Sequence, residues 1–203
     1  MNRRLLLTGL TTLPLTSALA AETVVASVAG KTLAGPRAGY FPNALLTTHE
    51  GTHVRFYDDL IKGDKIVTFN MMYTRCTGIC PGMTANLVRV QKLLADRVGR
   101  DVFMYSLSLK PEEDTPALLK EYAEMHGVGP GWTFLTGAAN DVEQLRRKLG
   151  FKDPEPRFDA DIEQHIGLVR FGNEALDRWA ACPASANPER IAESILWMQS
   201  PKA

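Results

Sequence analysis

The stretch Thr74-Arg75-Cys76-Thr77-Gly78-Ile79-Cys80-Pro81 separates a strand-like apolar run, Lys65 to Met72, from a helix-like run that starts near Met83. Two thiols with three residues between them, on a loop entering a helix, can share one bond or one metal ion. Local backbone N–H groups and the positive end of the helix macrodipole favour the thiolate, which is both the nucleophile and the ligand form. A structural disulfide or two buried free thiols is the plainer alternative, although structural bridges usually join more distant segments. A cysteine pair at a strand-to-helix junction suggests a thioredoxin-like arrangement. The spacing is one residue longer than the redox C-x-x-C. That residue widens the loop the two sulfurs must close and suits two thiolates gripping one ion. Such a site needs at least one further ligand, and soft sulfur selects Cu(I) or zinc over hard cations.

Working outward, Lys65 to Met72 has the character of a buried central strand. On its N-terminal side, Leu45 to Thr48 and His53 to Tyr57 predict a hairpin turning at Glu50-Gly51. On its C-terminal side, Met83, Leu87, Val90 and Leu94 recur with helical spacing, and Gly99 stops that helix. Val102 to Leu109 predicts a strand. Thr115-Pro116 starts a second helix with Pro at its first position, and Gly127 ends it. Trp132 to Leu135 predicts a strand, Val142, Leu145 and Leu149 a helix, and Ile166 to Phe171 a further strand. Asn187-Pro188 opens a last helix with Ile191, Ile195 and Met198 facing inward. Strands alternating with helices give an α/β class, a central sheet flanked by helices with an N-terminal hairpin.

At 203 residues the chain can build one well-formed core. Lys+Arg and Asp+Glu both number 23, so nothing suggests a nucleic-acid surface. Residues 1–20 read as a cleaved signal peptide: Arg3 and Arg4, an apolar stretch from Leu5, and a small-residue signal at Ala18-Leu19-Ala20. The Arg-Arg pair also permits twin-arginine export. An uncleaved anchor is the alternative, but the apolar stretch is short for a span of about 20 residues and contains Pro14. Residues 21–40 follow as an extended leader, and 41–203 form the folded domain. Export to the periplasm or another extracytoplasmic space means that Cys76 and Cys80 must oxidise, be kept reduced, or be capped by metal. Cys182, the odd cysteine, reads as a small buried hydrophobe.

His165 is the best positioned third ligand, between the acidic loop Lys152 to Asp161 and the following strand. On position alone, an ordinary surface or hydrogen-bonded histidine is the better explanation. His49, His53 and His126 read as solvated. Asp114-Thr115-Pro116 read as a helix start, with capping as their role. Met71 and Met72 are soft donors on a strand, where their side chains face opposite ways, so at most one can look towards the cysteines.

Several motifs occur in an order that carries more than any one of them. Phe56-Tyr57-Asp58-Asp59-Leu60 is followed by Tyr73 to Pro81 and by Pro111-Glu112-Glu113-Asp114-Thr115-Pro116. Trp132-Thr133-Phe134-Leu135-Thr136-Gly137 and His165 complete the series. Together, from about Phe41 to Phe171, they resemble the SCO/SenC family of copper proteins. The resemblance implies a thioredoxin-like fold and copper bound by Cys76, Cys80 and His165. It implies an extracytoplasmic metallochaperone that holds Cu(I) and serves the binuclear copper centre of cytochrome c oxidase. The expected partners are the copper-receiving subunit of that oxidase, or another periplasmic cuproprotein, and a thiol reductant. The alternatives are a thiol-disulfide oxidoreductase acting on the cysteines of a copper-receiving partner, or a redox or copper sensor.

Three places depart from the family pattern. Lys110 stands where an acidic residue usually precedes the proline, and a positive charge near the site would disfavour a cupric ion. Ile166 replaces the Ser that usually follows the histidine. Gly172 to Pro183, including Cys182, reads unlike the usual turn and strand.

Overall fold

The computed structural model describes residues 35–161 and 167–199. The expected signal peptide, most of the expected leader, and His165 lie outside the described residues.

The expected hairpin forms from β1 (Leu45–Thr48) and β2 (His53–Arg55), with Gly51 at φ 81° in its turn. Its second strand is shorter than the alternation predicted. Phe56–Ile61 winds into a π-helical turn instead, which buries Phe56, Tyr57, Leu60 and Ile61 together. The remaining strands are β3 (Ile66–Met72), β4 (Val102–Ser108), β5 (Trp132–Gly137), β6 (Leu168–Asn173) and β7 (Arg178–Pro183). The helices are α1 (Ile79–Leu94), α2 (Pro116–Met125), α3 (Ala139–Lys148), the single turn α4 (Pro156–Asp159) and α5 (Pro188–Leu196).

All seven strands join one sheet in the order β2-β1-β5-β4-β3-β6-β7. The inner trio β5-β4-β3 is parallel and the flanking pairs are antiparallel. Parallel neighbours need long crossovers, and α1 and α2 lie in those that link β3 to β4 and β4 to β5. Every residue of β3 is buried because both faces of the sheet are covered. Met72 packs with the cysteines, α1, α2 and α5, whereas Met71 packs on the opposite face with Phe41, Phe56, Val142 and Leu145. This is the thioredoxin-like α/β fold that the alternation of elements predicts.

Two further segments differ from the sequence expectation. Helix α1 starts at Ile79, four residues before Met83, so Cys80 lies inside the first helical turn instead of on the entering loop. Strand β7 extends the sheet where the sequence shows no alternation; it pairs along its length with β6, Cys182 opposite Val169.

Candidate metal centre

β3 delivers the chain at Met72 to the end of the parallel strands, where loops between strand and helix collect functional groups. Tyr73 is buried there, and its carbonyl accepts from the Cys76 N–H at 3.2 Å, closing a tight turn. Gly78 caps α1 without any side-chain oxygen, leaving the N–H groups of the first turn for other acceptors. Thr77, Gly78 and Ile79 are exposed while the two cysteines on either side of them turn inward. Cys76 is 6% exposed and Cys80 0%.

Neither cysteine is in a disulfide, and the two thiols hydrogen-bond to each other. Burial pushes the Cys80 thiol well above its ordinary value, and the bond to Cys76 adds to this. Backbone N–H groups at Tyr73 and Cys80 act the other way, as expected at a helix start, but are outweighed. The metal-free Cys80 thiol therefore retains its proton at neutral pH. A monovalent soft cation would displace it, because a coordinated thiol is deprotonated outright.

A carboxylate that the sequence assigns to capping holds this loop. Asp114 is 1% exposed and accepts from the Thr74 N–H at 3.1 Å, from Thr74 Oγ1 at 2.6 Å and from Ser108 Oγ. Capping belongs to Thr115 alone, whose Oγ1 accepts from Leu118 N. Ser108 in turn accepts from the Lys110 N–H. The Lys110 ammonium lies 4.7 Å from the centre of the Tyr73 ring and 3.7 Å from Glu113. The positive charge thus sits one residue removed from the cysteine loop.

Tyr122 of α2 closes the site from above α1. Its hydroxyl meets Thr84 Oγ1 at 3.0 Å, and burial, with the nearby Cys80 and Cys76, raises its phenol to about 12. It stays neutral and serves as a wall.

The other histidines have separate roles. Contrary to the solvated reading, His49 Nδ1 accepts from the Phe134 N–H at 3.0 Å, fastening the hairpin to β5. His53 bonds Thr47 within the hairpin. Cys182 is half-buried against the core that contains α1, and burial raises its thiol. His165 lies outside the described residues, and among the described residues no three His, Cys, Asp or Glu side chains converge on one point. Two residues further on, Gly167 packs against Ile79, with only 3.1 Å between the Ile79 Cδ1 and the place a Cβ would occupy. The chain thus re-enters the fold beside the residue preceding Cys80, pinned there by the Ala184 N–H to Gly167 carbonyl bond. No helix among the described residues is long and apolar enough to cross a membrane.

A sequence model described as SCO1/SenC matches residues 44–198. The SCO1 protein homolog of Bacillus subtilis (strain 168) is 37% identical over 82 residues, 39% of this chain and 42% of that protein. The crystal structure of a SCO1/SenC family lipoprotein from Bacillus anthracis superposes with a TM-score of 0.63 at 22% identity, covering 78% of this chain and 94% of that one. Bradyrhizobium japonicum ScoI with copper bound gives 0.59 at 21% identity, covering 76% and 96%. BsSco, described as a Sco family cytochrome c oxidase assembly protein with a disulfide switch, gives 0.61 at 23% identity, covering 78% and 92%.

Proposed function

The chain belongs to the SCO1/SenC family, and on that premise we propose that it is an extracytoplasmic copper-binding protein. It holds Cu(I) on the thiolates of Cys76 and Cys80 with the imidazole of His165 as third ligand, and delivers it to the binuclear copper centre of cytochrome c oxidase. The observation that carries this reading is the hydrogen-bonded pair of buried thiols at the start of α1. Two thiolates and one Cu(I) leave a single net negative charge, which suits the free N–H groups and positive end of a helix N-terminus. Soft sulfur matches Cu(I) in preference to hard cations. The position of Gly167 against Ile79 supports His165 as the third ligand, since two residues of chain span at most about 7 Å. The copper bound to Bradyrhizobium japonicum ScoI and the oxidase assembly role of BsSco support the metal and the client. The lipoprotein relative and the basic, apolar start of the chain support export.

Transfer then proceeds by ligand exchange. A partner thiolate displaces one cysteine at a time, copper stays Cu(I), and each released thiolate takes a proton from solvent. The reduced protein is expected to bind one copper per chain, with X-ray absorption showing sulfur and nitrogen neighbours. A shell of oxygen and nitrogen alone overturns the reading. The protein oxidised to a Cys76–Cys80 disulfide is expected to bind none.

The asymmetry of the two thiols favours a second reading, thiol-disulfide exchange. Cys76 lines an open cavity, whereas Cys80 is fully covered. Cys76 would attack a partner disulfide and Cys80 resolve the mixed disulfide. Two electrons pass to the partner, leaving it with two thiols and this chain with one internal disulfide.

A further inference from the structure

We propose that Met125 and His126 form a second, transient Cu(I) position at the mouth of the cavity that Cys76 lines, through which copper reaches the thiol pair. The inference rests on the copper reading of the thiols and adds a route to them. Because Cys80 is wholly covered and Cys76 nearly so, copper must enter through a defined opening. A cavity of about 450 Å³ borders Cys76, and its wall also includes Tyr122, Glu121, Met125 and His126.

The chemistry of this wall is specific. His126 Nδ1 lies 2.9 Å from the Tyr122 carbonyl, which can only accept, so Nδ1 carries the proton. In the neutral ring the lone pair is then on Nε2, which has no hydrogen-bond partner among the described residues. A backbone carbonyl on one nitrogen is how proteins orient an imidazole for metal at the other. The ring is held flat on Tyr122, centroids 4.0 Å apart and planes 26° apart, and Tyr122 is itself anchored to Thr84 beside the cysteines. Its neighbour in sequence, Met125, is 73% exposed, the highest exposure of the large hydrophobic side chains among the described residues. Burial does not account for a thioether there. Thioether and imidazole together suit Cu(I), and two donors bind it loosely enough to release it to two thiolates. The same wall carries one carboxylate, Glu121, and one guanidinium, Arg75, so the soft donors and not the charge of the wall select the ion. Copper stays Cu(I) throughout: the donor's ligand leaves, Met125 and His126 hold the ion, then Cys76 and Cys80 take it and release their protons to solvent.

Two measurements test this on the mature protein. In the first, a variant with Cys76, Cys80 and Cys182 all replaced by Ser is titrated with Ag(I), a closed-shell stand-in for Cu(I), and followed by NMR. The Met125 methyl and His126 ring signals are expected to shift together and saturate, and to lose this response on adding Met125→Leu and His126→Gln. No shift at either residue overturns the proposal. In the second, with all thiols present, Cu(I) capture from a coloured chelate is timed by stopped flow. Met125→Leu/His126→Gln is expected to slow capture several-fold, and an unchanged rate overturns the route. If wild type takes no copper on its thiols, the copper function falls while the Ag(I) titration still decides the Met125–His126 position.

Discussion

The carboxylate of Asp114 reaches back across 40 positions to hold both the N–H and the hydroxyl of Thr74, two residues before Cys76. Removing it leaves three donors facing a void, and buried unsatisfied groups cost about 1–3 kcal/mol each. Asp114→Ala is therefore expected to lower unfolding free energy by about 2–4 kcal/mol in urea denaturation. It should also weaken Cu(I) retention against a chelator, because the turn that seats Cys76 loses its tether. Asp114→Asn keeps the shape and one of the two acceptor oxygens, and should lie between the two. An Ala variant as stable as wild type would show that the tether is idle. In the sequence this residue reads as part of a helix cap because its local context, Thr-Pro following, is that of a helix start. Only the tertiary approach of Thr74 and Ser108 reveals the other role. Cys182, expected to be a buried hydrophobe, is only half-buried on β7, packed against the core as a small apolar side chain. Cys182→Ser is expected to keep one copper per chain, and a lost or altered metal spectrum would place it among the ligands.

At the scale of elements, the helical stripe of α1 was legible because Met83, Leu87, Val90 and Leu94 repeat with the helix period, and all four are buried. Its first turn was not, because Gly78, Cys80 and Pro81 are not strong helix formers and the turn is held by packing. Strand β7 escaped notice because Arg178 to Pro183 has no period-two pattern; as an edge strand it buries little and draws its order from pairing with β6. The segment from Lys152 to Asp161 reads as a loop; the structure puts the single turn α4 within it and shows what fixes it. Arg146 on α3 grips the Asp159 carboxylate with two bonds, 2.7 and 3.0 Å, and also bonds the Phe151 carbonyl and Glu143. Asp159 further accepts from the Asp153 N–H. The Arg146 bonds hold the Asp159 carboxyl down at about 2, well below the ordinary aspartate range. A lowered folded-state value stabilises above the unfolded value and loses that effect as pH falls through the folded one. The clasp is thus expected at full strength above about pH 4 and to fade towards pH 2. Arg146→Met should cost about 1–3 kcal/mol at pH 7. The gap between variant and wild type in urea midpoint should narrow as the pH is taken to 3 and below. A gap that stays constant down to pH 2 would remove the ion pair as its cause.

Across the whole molecule the thiols and the imidazole proposed as ligands come from parts of the chain far apart in sequence. Cys76 and Cys80 lie at the junction of β3 and α1, inside the same core as Met72, Leu87 and Phe134. His165 comes from the stretch between α4 and β6, remote in sequence from both. Spacing could identify the thiol pair but not the histidine, since nothing local distinguishes a ligand imidazole from a surface one; the resemblance to a family supplied it. This division makes His165→Ala the variant that separates the two functions. It keeps both thiols on their rigid junction, so a dithiol reductase should retain most of its activity on a partner disulfide, apart from any change in thiol reactivity from losing a nearby imidazole. A copper carrier should fall to two-coordinate sulfur binding and surrender Cu(I) more readily to a chelator. In cells lacking the wild-type protein and grown in low copper, this variant is expected not to restore cytochrome c oxidase activity even though its reductase activity persists in vitro. Full restoration by His165→Ala, alongside failure by Cys76→Ser, would instead make thiol-disulfide exchange the working chemistry. If both variants restore the oxidase, the client is a different cuproprotein, and the copper site must then be judged by its metal spectrum alone.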